Sequence, residues 1–271
     1  MNNILLVGCG HMGSALLHSW YKKTSVHFTI IDPHKYKIVN RTYNKKRLSA
    51  LRSIDYITDF KKFNIIVFAV KPQIAVTVLK KFTNLKYKKN VLFISIIAGK
   101  QIMFFENFLP GNNQFIRVMP NMPALVERGM SCLVSNKLTS KKNKKIAKEL
   151  FDIVGKTIWL KKESDLDKIT AISGSGPAYL FMFIEYFESV ARDLGFTSVI
   201  AKQLVYQTAL GSIELLVKDM RSAKQLKESI AVKGGTTEAA INVFEKNSLF
   251  KKIIKNAIKN AYHRSIKLGE N

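Results

Sequence analysis

The stretch that decides the fold is Ile4-Leu5-Leu6-Val7 followed at once by Gly8-Cys9-Gly10-His11-Met12-Gly13, after which Ser14-Ala15-Leu16-Leu17 has the pattern of a helix. A buried strand, a tight glycine turn and a helix start, in this order, form the dinucleotide-binding fingerprint. Gly8 permits the turn, Gly10 lets the backbone approach a pyrophosphate, and Gly13 lets the helix pack close to the strand. The stretch therefore predicts a nucleotide site, the alternative being a glycine turn with only a structural role.

Further apolar runs follow, separated by helical stretches. They are FTII at 28–31, IIVFAV at 65–70, VLFISII at 91–97 and FIRVM at 115–119. Strands that alternate with helices predict an α/β fold with a doubly wound parallel sheet, and such sheets bind ligands at the carboxyl ends of their strands. One crevice should therefore collect the glycine loop and the residues after these strands, which include Ala69, Val70, Lys71, Pro72, Gly99 and Asn121.

Several other elements are expected from shorter patterns. Residues 45–52 resemble a basic helix, and Tyr56-Ile57 resembles a short strand. Two last strands, at 131–134 and 157–160, flank a basic helix at 140–154. We expect all of these elements to belong to the first domain.

Asp32 ends the second strand and lies 24 residues after Gly8, close to the spacing of an acid that binds the ribose hydroxyls of a dinucleotide. Such an acid would favour NAD over NADP because it repels the 2′-phosphate. The basic residues that follow could hold that phosphate instead: His34, Lys35 and Lys37. Alternatively, Asp32-Pro33 only begins a turn, and the sequence leaves these possibilities open.

The composition restricts the classes of partner. The formal net charge is +25, but the lysines occur as scattered pairs instead of one stripe interleaved with aromatic residues, which a single-strand-binding protein needs. We therefore expect no nucleic-acid partner, and we expect the charge to attract anionic cofactors and substrates.

The cysteines and the apolar runs bear on location. Cys9 and Cys132 have neither disulfide-framework nor metal-ligand spacing, which favours a reducing compartment and no metal site. The sequence has no run of about 18 apolar residues, so we expect no transmembrane helix. The apolar run at 4–7 is short and no Lys or Arg precedes it, whereas a signal peptide has basic residues before its apolar run. We expect a cytoplasmic protein with no membrane partner.

The character of the chain changes near Lys161. Beyond it no strand-like run occurs, and long helical patterns cover 179–194, 200–218 and 239 onward. We therefore predict a dinucleotide-binding domain at 1–161 and an all-helical domain at 162–271.

Two glycine-rich segments interrupt the helical half. Ser173-Gly174-Ser175-Gly176-Pro177 leads into a helix, and a break of this kind leaves N–H groups and hydroxyls available for a carboxylate or phosphate. Lys233-Gly234-Gly235-Thr236-Thr237 precedes a helix expected near Ala239, and one of its threonines could cap that helix. Each segment could equally be a turn or a cap, but the pair hints at a small anionic substrate.

Taken together, five stretches resemble the pyrroline-5-carboxylate reductase family. They are GCGHMGSAL at 8–16, AVKPQ at 69–73, RVMPNMPALVERGM at 117–130, DKITAISGSGPAYLF at 167–181 and VKGGTTEAAI at 232–241. They span the chain in the family's order and spacing. ISGSGPAY followed by GGTTEAA is far more specific than a glycine fingerprint alone.

The resemblance implies a reductase that transfers a hydride from NADPH or NADH to the imine carbon of 1-pyrroline-5-carboxylate and so makes L-proline. By resemblance, the cofactor contacts are Gly8, Cys9, Gly10, His11, Met12, Gly13, Asp32, Ala69, Val70, Lys71, Pro72 and Asn121. The implied substrate contacts are Ser175, Gly176, Pro177, Gly235, Thr236 and Thr237, of which Ser175 and Thr237 are the expected catalytic residues. The family also implies a homodimer with intertwined helices, often assembled into a decamer, in which Thr237 could complete the neighbouring subunit's site.

The chain departs from the family pattern at three places. Val232-Lys233 replaces Ser-Pro, Ser222-Ala223 replaces a proline-containing turn, and Met122 replaces a threonine. These changes bear on substrate affinity more than on reaction type.

Two other hypotheses remain. One is a related imine or β-hydroxyacid dehydrogenase, for which the helical half offers no clear catalytic lysine. The other is a dinucleotide sensor without activity.

Overall fold

The computed structural model describes residues 3–109 and 111–270. Its strands are β1 (Asn3–Val7), β2 (His27–Ile31), β3 (Leu48–Leu51), β4 (Ile65–Phe68), β5 (Leu92–Ser95), β6 (Gln114–Met119), β7 (Gly129–Ser135) and β8 (Gly155–Trp159). Its helices are α1 (His11–Lys23), α2 (Tyr36–Thr42), α3 (Ala75–Lys80), α4 (Ile102–Glu106), α5 (Lys141–Asp152), α6 (Asp165–Ile169), α7 (Gly176–Asp193), α8 (Ser198–Lys218), α9 (Ala223–Ile230), α10 (Thr236–Glu245) and α11 (Leu249–Glu270). Both predicted halves, the sheet with its helices and the helical region, are present.

The eight strands form one sheet in the order β3-β2-β1-β4-β5-β6-β7-β8. All neighbours from β3 to β6 are parallel, and β1 pairs with both β2 and β4, so the order reverses between β1 and β4. This reversal is the switch point at which a doubly wound sheet opens a crevice. The glycine loop follows β1 and Ala69 follows β4, so both lie at that point.

The sheet departs from the predicted parallel pattern at β7, which pairs antiparallel with β6. Only nine residues connect Met119 to Gly129, and a parallel crossover needs about a dozen or more. The short connection contains one 3-10 helix, Met122–Val126, and therefore turns the chain straight back.

Apolar packing on both faces explains why the strands are apolar throughout. One face buries Trp20 of α1 and Phe151 of α5, whose rings meet edge to face with centroids 5.6 Å apart. The other face carries a row of phenylalanines on neighbouring strands, Phe68, Phe93 and Phe115, with successive centroids 6.3 and 5.0 Å apart. Strands covered on both faces need no polar alternation.

Three local predictions are wrong. Residues 45–52 form no helix, because Leu48 and Ala50 are buried and pair as β3 beside β2. Residues 54–56 form a 3-10 turn that Ser53 caps, where the sequence predicts a strand at 56–57. The helix predicted from 239 onward is interrupted at Asn247 and Ser248, which both have φ near 54°.

The contacts divide the chain into two compact units. Unit 1 covers the sheet and its helices up to Ser175, together with the chain from Ala261 onward, and unit 2 runs from Gly176 to Asn260. Within unit 1, Ser265 donates a hydrogen bond to Asp167 (2.8 Å). The boundary at 161/162 stays a prediction. In the described part of the chain no helix is both long and apolar enough to cross a bilayer.

The Trp20 hydrogen bond yields a stability prediction. The Trp20 side chain is fully buried, and its indole Nε1 donates to the Leu150 carbonyl (2.7 Å). Trp20→Phe leaves that carbonyl without its donor, so we expect the free energy of unfolding to fall by about 1–3 kcal/mol. Denaturant unfolding followed by fluorescence measures the change. Trp159→Phe, at a half-buried ring on the edge strand β8, is the matched control, and equal losses in the two variants would contradict the assignment.

Candidate functional site

The glycine loop lies where β1, β4 and α1 meet, and the backbones there approach too closely for side chains. Gly8 has φ +96°, and a Cβ on it would lie 2.6 Å from the carbonyl oxygen of Ala69. A Cβ on Gly13 would lie 2.5 Å from the oxygen of Gly8. Two of the three glycines are therefore required by packing alone.

Gly10 is different, because nothing in the described chain lies within 4 Å of the position its Cβ would take. It is exposed and is the N-cap of α1, without a side-chain cap. The first N–H groups of a helix have no partner within the helix. The open side of Gly10, next to the first turn at His11 and Met12, can therefore receive an anionic group.

Cys9, between the first two glycines, is buried. Burial raises the pKa of its thiol, and the nearby Asp32 carboxylate raises it further, against a hydrogen bond with Ser14 that lowers it. Burial likewise raises the pKa of the Cys132 thiol. Both thiols are therefore neutral at physiological pH, and neither is suited to act as a nucleophile.

The Asp32 carboxylate joins the loop after β1 to the loop after β2. Its Oδ2 accepts from the N–H of Cys9 (2.7 Å), and its Oδ1 accepts from the N–H groups of His34 (2.9 Å) and Lys35 (2.8 Å). Asp32 therefore begins the turn that the sequence offered as one of its two roles. A contact with a ribose stays a prediction. The bond to Cys9 was missed from the sequence, although an aspartate followed by proline at a strand end signals side chain-to-backbone bonding.

The residues after β4 border the same crevice. The N–H of Ala69 donates to Val7 (2.8 Å), which continues the parallel ladder one step past the strands. Val70 is half-buried and Lys71 is exposed. Pro72 then begins a 3-10 turn, Pro72–Ile74, that leads into α3.

Asn121, which follows β6, binds two other segments. Its Nδ2 donates to the carbonyl oxygen of Ser173 (3.0 Å), and its Oδ1 accepts from the N–H of Met130 (2.7 Å). With both ends of the amide engaged, Asn121 fixes the first glycine-rich segment against the carboxyl end of β6. No sequence pattern indicates this contact.

The first glycine-rich segment is not the predicted break. Thr170–Gly174 is a π-helical turn, and the N–H of Ser175 donates to Thr170 (2.8 Å). Gly174 packs against β6, where a Cβ would lie 2.8 Å from the Met119 methyl carbon. A wide turn of this kind accommodates the glycines without ending the helical path, and such turns often mark functional sites. The following Gly176 and Pro177 begin α7 in unit 2.

The second glycine-rich segment lies wholly in unit 2. Gly234 has φ +77°, Gly235 is the N-cap of α10, and the helix begins at Thr236, three residues earlier than predicted. Glu238 caps the turn by accepting from the N–H of Gly234 (2.7 Å). The predicted threonine cap is therefore wrong. Neither Thr236 nor Thr237 has a hydroxyl partner within the described residues, so both hydroxyls are available to a ligand.

The sequence is similar along its whole length to known reductases. A pyrroline-5-carboxylate reductase of Pasteurella multocida (strain Pm70) is 32% identical over 270 residues, which cover 97% of this chain and 96% of the relative. The chain belongs to the pyrroline-5-carboxylate reductase family.

Family models and solved structures agree with this assignment. The model described as pyrroline-5-carboxylate reductase dimerisation matches residues 163–268, and the one described as NADP oxidoreductase coenzyme F420-dependent matches 3–99. A Plasmodium falciparum pyrroline carboxylate reductase with NADP bound is 33% identical, with a TM-score of 0.83 and coverage of 99% and 98% of the two chains. A Coxiella burnetii pyrroline-5-carboxylate reductase is 28% identical, with a TM-score of 0.85 and coverage of 100% and 99%.

One departure from the family pattern has a structural counterpart. Ser222, where the reductases usually have a proline-containing turn, is the N-cap of α9 and forms a capping box with Gln225. A serine cap starts the helix as a proline would. Met122 and Val232 are exposed, and the structure gives no reason for their replacement of polar residues.

The alternative dehydrogenase chemistry gains no support from Lys168. Its exposed Nζ lies 2.8 Å from Asp165 Oδ1, and this hydrogen bond raises the pKa of the lysine. A paired and protonated ammonium is a poor general base.

Unit 2 leaves its apolar faces exposed. Along α7 these include Phe181, Phe183, Tyr186 and Phe187, and along α8 they include Leu204, Tyr206, Leu210 and Ile213. Its buried residues are Pro177, Ala191, Ala201, Val205 and Leu226. Exposed apolar area on this scale is typical of an interface with another chain.

The Asn121 contacts yield a prediction. Asn121→Asp keeps an acceptor for Met130 but replaces the donor to Ser173 with a repelling carboxylate, so we expect faster exchange of the Ser175 amide hydrogen, by about tenfold or more. Hydrogen exchange measured by mass spectrometry or NMR tests this. Asn40→Asp is the control, because Asn40 makes an equivalent bidentate contact with the Ala50 backbone (2.7 and 2.8 Å). Acceleration at Ser175 in both variants would indicate general destabilisation and contradict the specific role.

Proposed function

We propose that the chain is a pyrroline-5-carboxylate reductase that uses NADPH to reduce 1-pyrroline-5-carboxylate to L-proline. The observation that carries this proposal is the match to a reductase of this name along 97% of the chain. When bound, the nicotinamide supplies the hydride that adds to the imine carbon, and the ring nitrogen gains a proton. The protein must hold the two rings together and bind the acid group.

The residues around the switch point suit a dinucleotide. The open side of Gly10 leaves space for a pyrophosphate where a Cβ would intrude, and the start of α1 offers N–H donors and the positive end of its dipole. We assign pyrophosphate contacts to Gly8–Gly13. Asp32, Ala69–Pro72 and Asn121 are assigned to the ribose and nicotinamide ends.

The substrate contacts are proposed on Ser175, Gly176, Pro177, Gly235, Thr236 and Thr237. The free hydroxyl of Thr237 supports its role, because a hydroxyl can donate to or accept from the ring nitrogen as the imine becomes an amine. The first-turn N–H groups of α10 suit the carboxylate. Ser175, whose position the π turn fixes, is the second proposed catalytic residue.

A homodimer through unit 2 is part of the proposal. The exposed apolar faces of α7 and α8 and the match to a dimerisation model over 163–268 support it. A decamer of such dimers, with Thr237 completing a neighbour's site, rests on family resemblance alone. Two free, buried cysteines support a reducing compartment, and we propose the cytoplasm.

Turnover tests the function directly. The purified protein should oxidise NADPH only when 1-pyrroline-5-carboxylate is added, and proline should reduce NADP at high pH. Absorbance at the reduced-nicotinamide band follows both reactions. Normal NADP binding without turnover in either direction would overturn the assignment and leave a dinucleotide sensor.

Thr237→Val tests the substrate site. Removing the hydroxyl should raise KM for the pyrroline by about ten- to a hundredfold, since a hydrogen bond to a charged group contributes about 1.5–3 kcal/mol. The Kd for NADPH should stay within about twofold, and Thr237→Ser should restore KM. An unchanged KM in Thr237→Val would mean that the second glycine-rich segment only begins a helix.

The turn after β2 tests the cofactor preference. Lys35 and Lys37 follow the Asp32 turn, and Gln at both positions should weaken NADPH binding by about tenfold while NADH binding changes little, because only NADPH carries the 2′-phosphate. Titration calorimetry with both cofactors measures this. Gln at Lys45 and Lys46, exposed lysines outside the turn, is the control. Equal weakening of NADPH and NADH would show that the lysines do not read the 2′-phosphate.

A further inference from the structure

A second concave site lies at the amino edge of the sheet, opposite the carboxyl edge where the glycine loop lies. It is a cavity of about 400 Å³. It opens between the amino ends of β4, β5 and β6 and the start of α5, and its walls include Asn64, Lys88, Lys89, Asn90, Gln114 and Lys142. Small-molecule sites have volumes in this range.

The start of α5 supplies backbone donors to this cavity. Ser140 is the N-cap, and its hydroxyl accepts from the N–H of Asn143 (3.2 Å). The N–H groups of Lys141 and Lys142 have no acceptor among the described residues. No acidic side chain occupies the first turn, so nothing from the helix itself neutralises the positive end of the dipole.

Gln114 provides an independent sign of a ligand. Its side chain is more than nine-tenths buried, and its Oε1 accepts from the N–H of Ser140 (2.8 Å) and from Asn143 Nδ2 (2.9 Å). Its Nε2 has no acceptor in the described chain. The only side-chain nitrogen or oxygen both sealed from solvent and unpartnered among those residues is Arg47 Nε. The Gln114 amide nitrogen is therefore not sealed from solvent, and because Gln114 lines the cavity, this donor is available to a ligand there.

The charge of the site has one sign. Lys88, Lys89 and Lys142 line it, no acidic side chain does, and none of these lysines forms an ion pair with another described residue. Lys141 and Lys142 also stand at the positive end of the α5 dipole, which disfavours cations. The three lysines carry positive charges that no acidic side chain compensates, and they lie beside the free N–H groups at the start of α5. This combination suits an anion that bears several charges.

We propose that this cavity binds a small multiply charged phosphate compound, such as a linear triphosphate, free or as part of a nucleotide. The phosphates lie against the α5 N-terminus and Gln114 Nε2, and the three lysines neutralise their charge. The site lies at the opposite edge of the sheet from the glycine loop, so its ligand does not compete with the dinucleotide. This proposal stands whether or not the chain reduces pyrroline-5-carboxylate.

Calorimetric titration with sodium triphosphate tests the site on the full chain, with NADP at saturation so that the crevice is occupied. We expect one triphosphate bound per chain. Gln114→Glu keeps both accepted hydrogen bonds but turns the free donor into a repelling carboxylate, so binding should weaken at least tenfold. The triple change of Lys88, Lys89 and Lys142 to Gln should weaken it as much.

The matched control changes Lys45, Lys46 and Lys156 to Gln, which removes the same charge from exposed lysines outside the cavity. Its affinity should stay within about twofold of the unchanged protein. A titration with ATP distinguishes a free triphosphate from a nucleotide. Equal affinity for both would mean that the site recognises the phosphates alone, and tighter binding of ATP would mean that it also recognises the nucleoside. The proposal is overturned if triphosphate binding does not saturate, or if the control variant weakens it as much as the cavity variants do. It is also overturned if an oligonucleotide binds far more tightly and displaces the triphosphate.

Discussion

The site depends on one close approach of backbones. Gly8 at the end of β1 sits against the Ala69 carbonyl at the end of β4, and Gly13 of α1 sits against the Gly8 carbonyl, with no space for a Cβ at either glycine. This contact brings the two central strands and the first helix together at the switch point of the sheet. Only Gly10 among the three faces open space, so the packing requirement applies to Gly8 and Gly13 and not to Gly10.

A second set of contacts, within unit 1, fixes the loops around the sheet. Asp32 fixes the first two loops to each other, and Asn121 fixes the π turn to the end of β6. In both cases one polar side chain joins separate segments through hydrogen bonds to their backbone groups. These hydrogen bonds fix connecting segments that have no regular strand or helix pairing of their own.

Much of the sheet and the position of the glycine loop could be predicted from the sequence. The apolar runs predict the strands and the glycine pattern predicts the switch-point loop, because both follow from local periodicity. The π turn, the start of α10 and the direction of β7 could not be predicted. They depend on where Asn121, Glu238 and a nine-residue connection meet the rest of the fold. Residues 45–52 looked helical because their lysines and arginines are helix formers. They include a strand instead, because Leu48 and Ala50 are buried where this segment pairs with β2.

The sparse burial within unit 2 has a thermodynamic consequence. A segment from Gly176 to Asn260 that buries so few of its own side chains obtains little free energy of folding from itself. In an assembly that covers those faces, folding of the helical half and association are one equilibrium. The midpoint of unfolding of the helical half then depends on protein concentration, so that dilution favours its dissociation and unfolding.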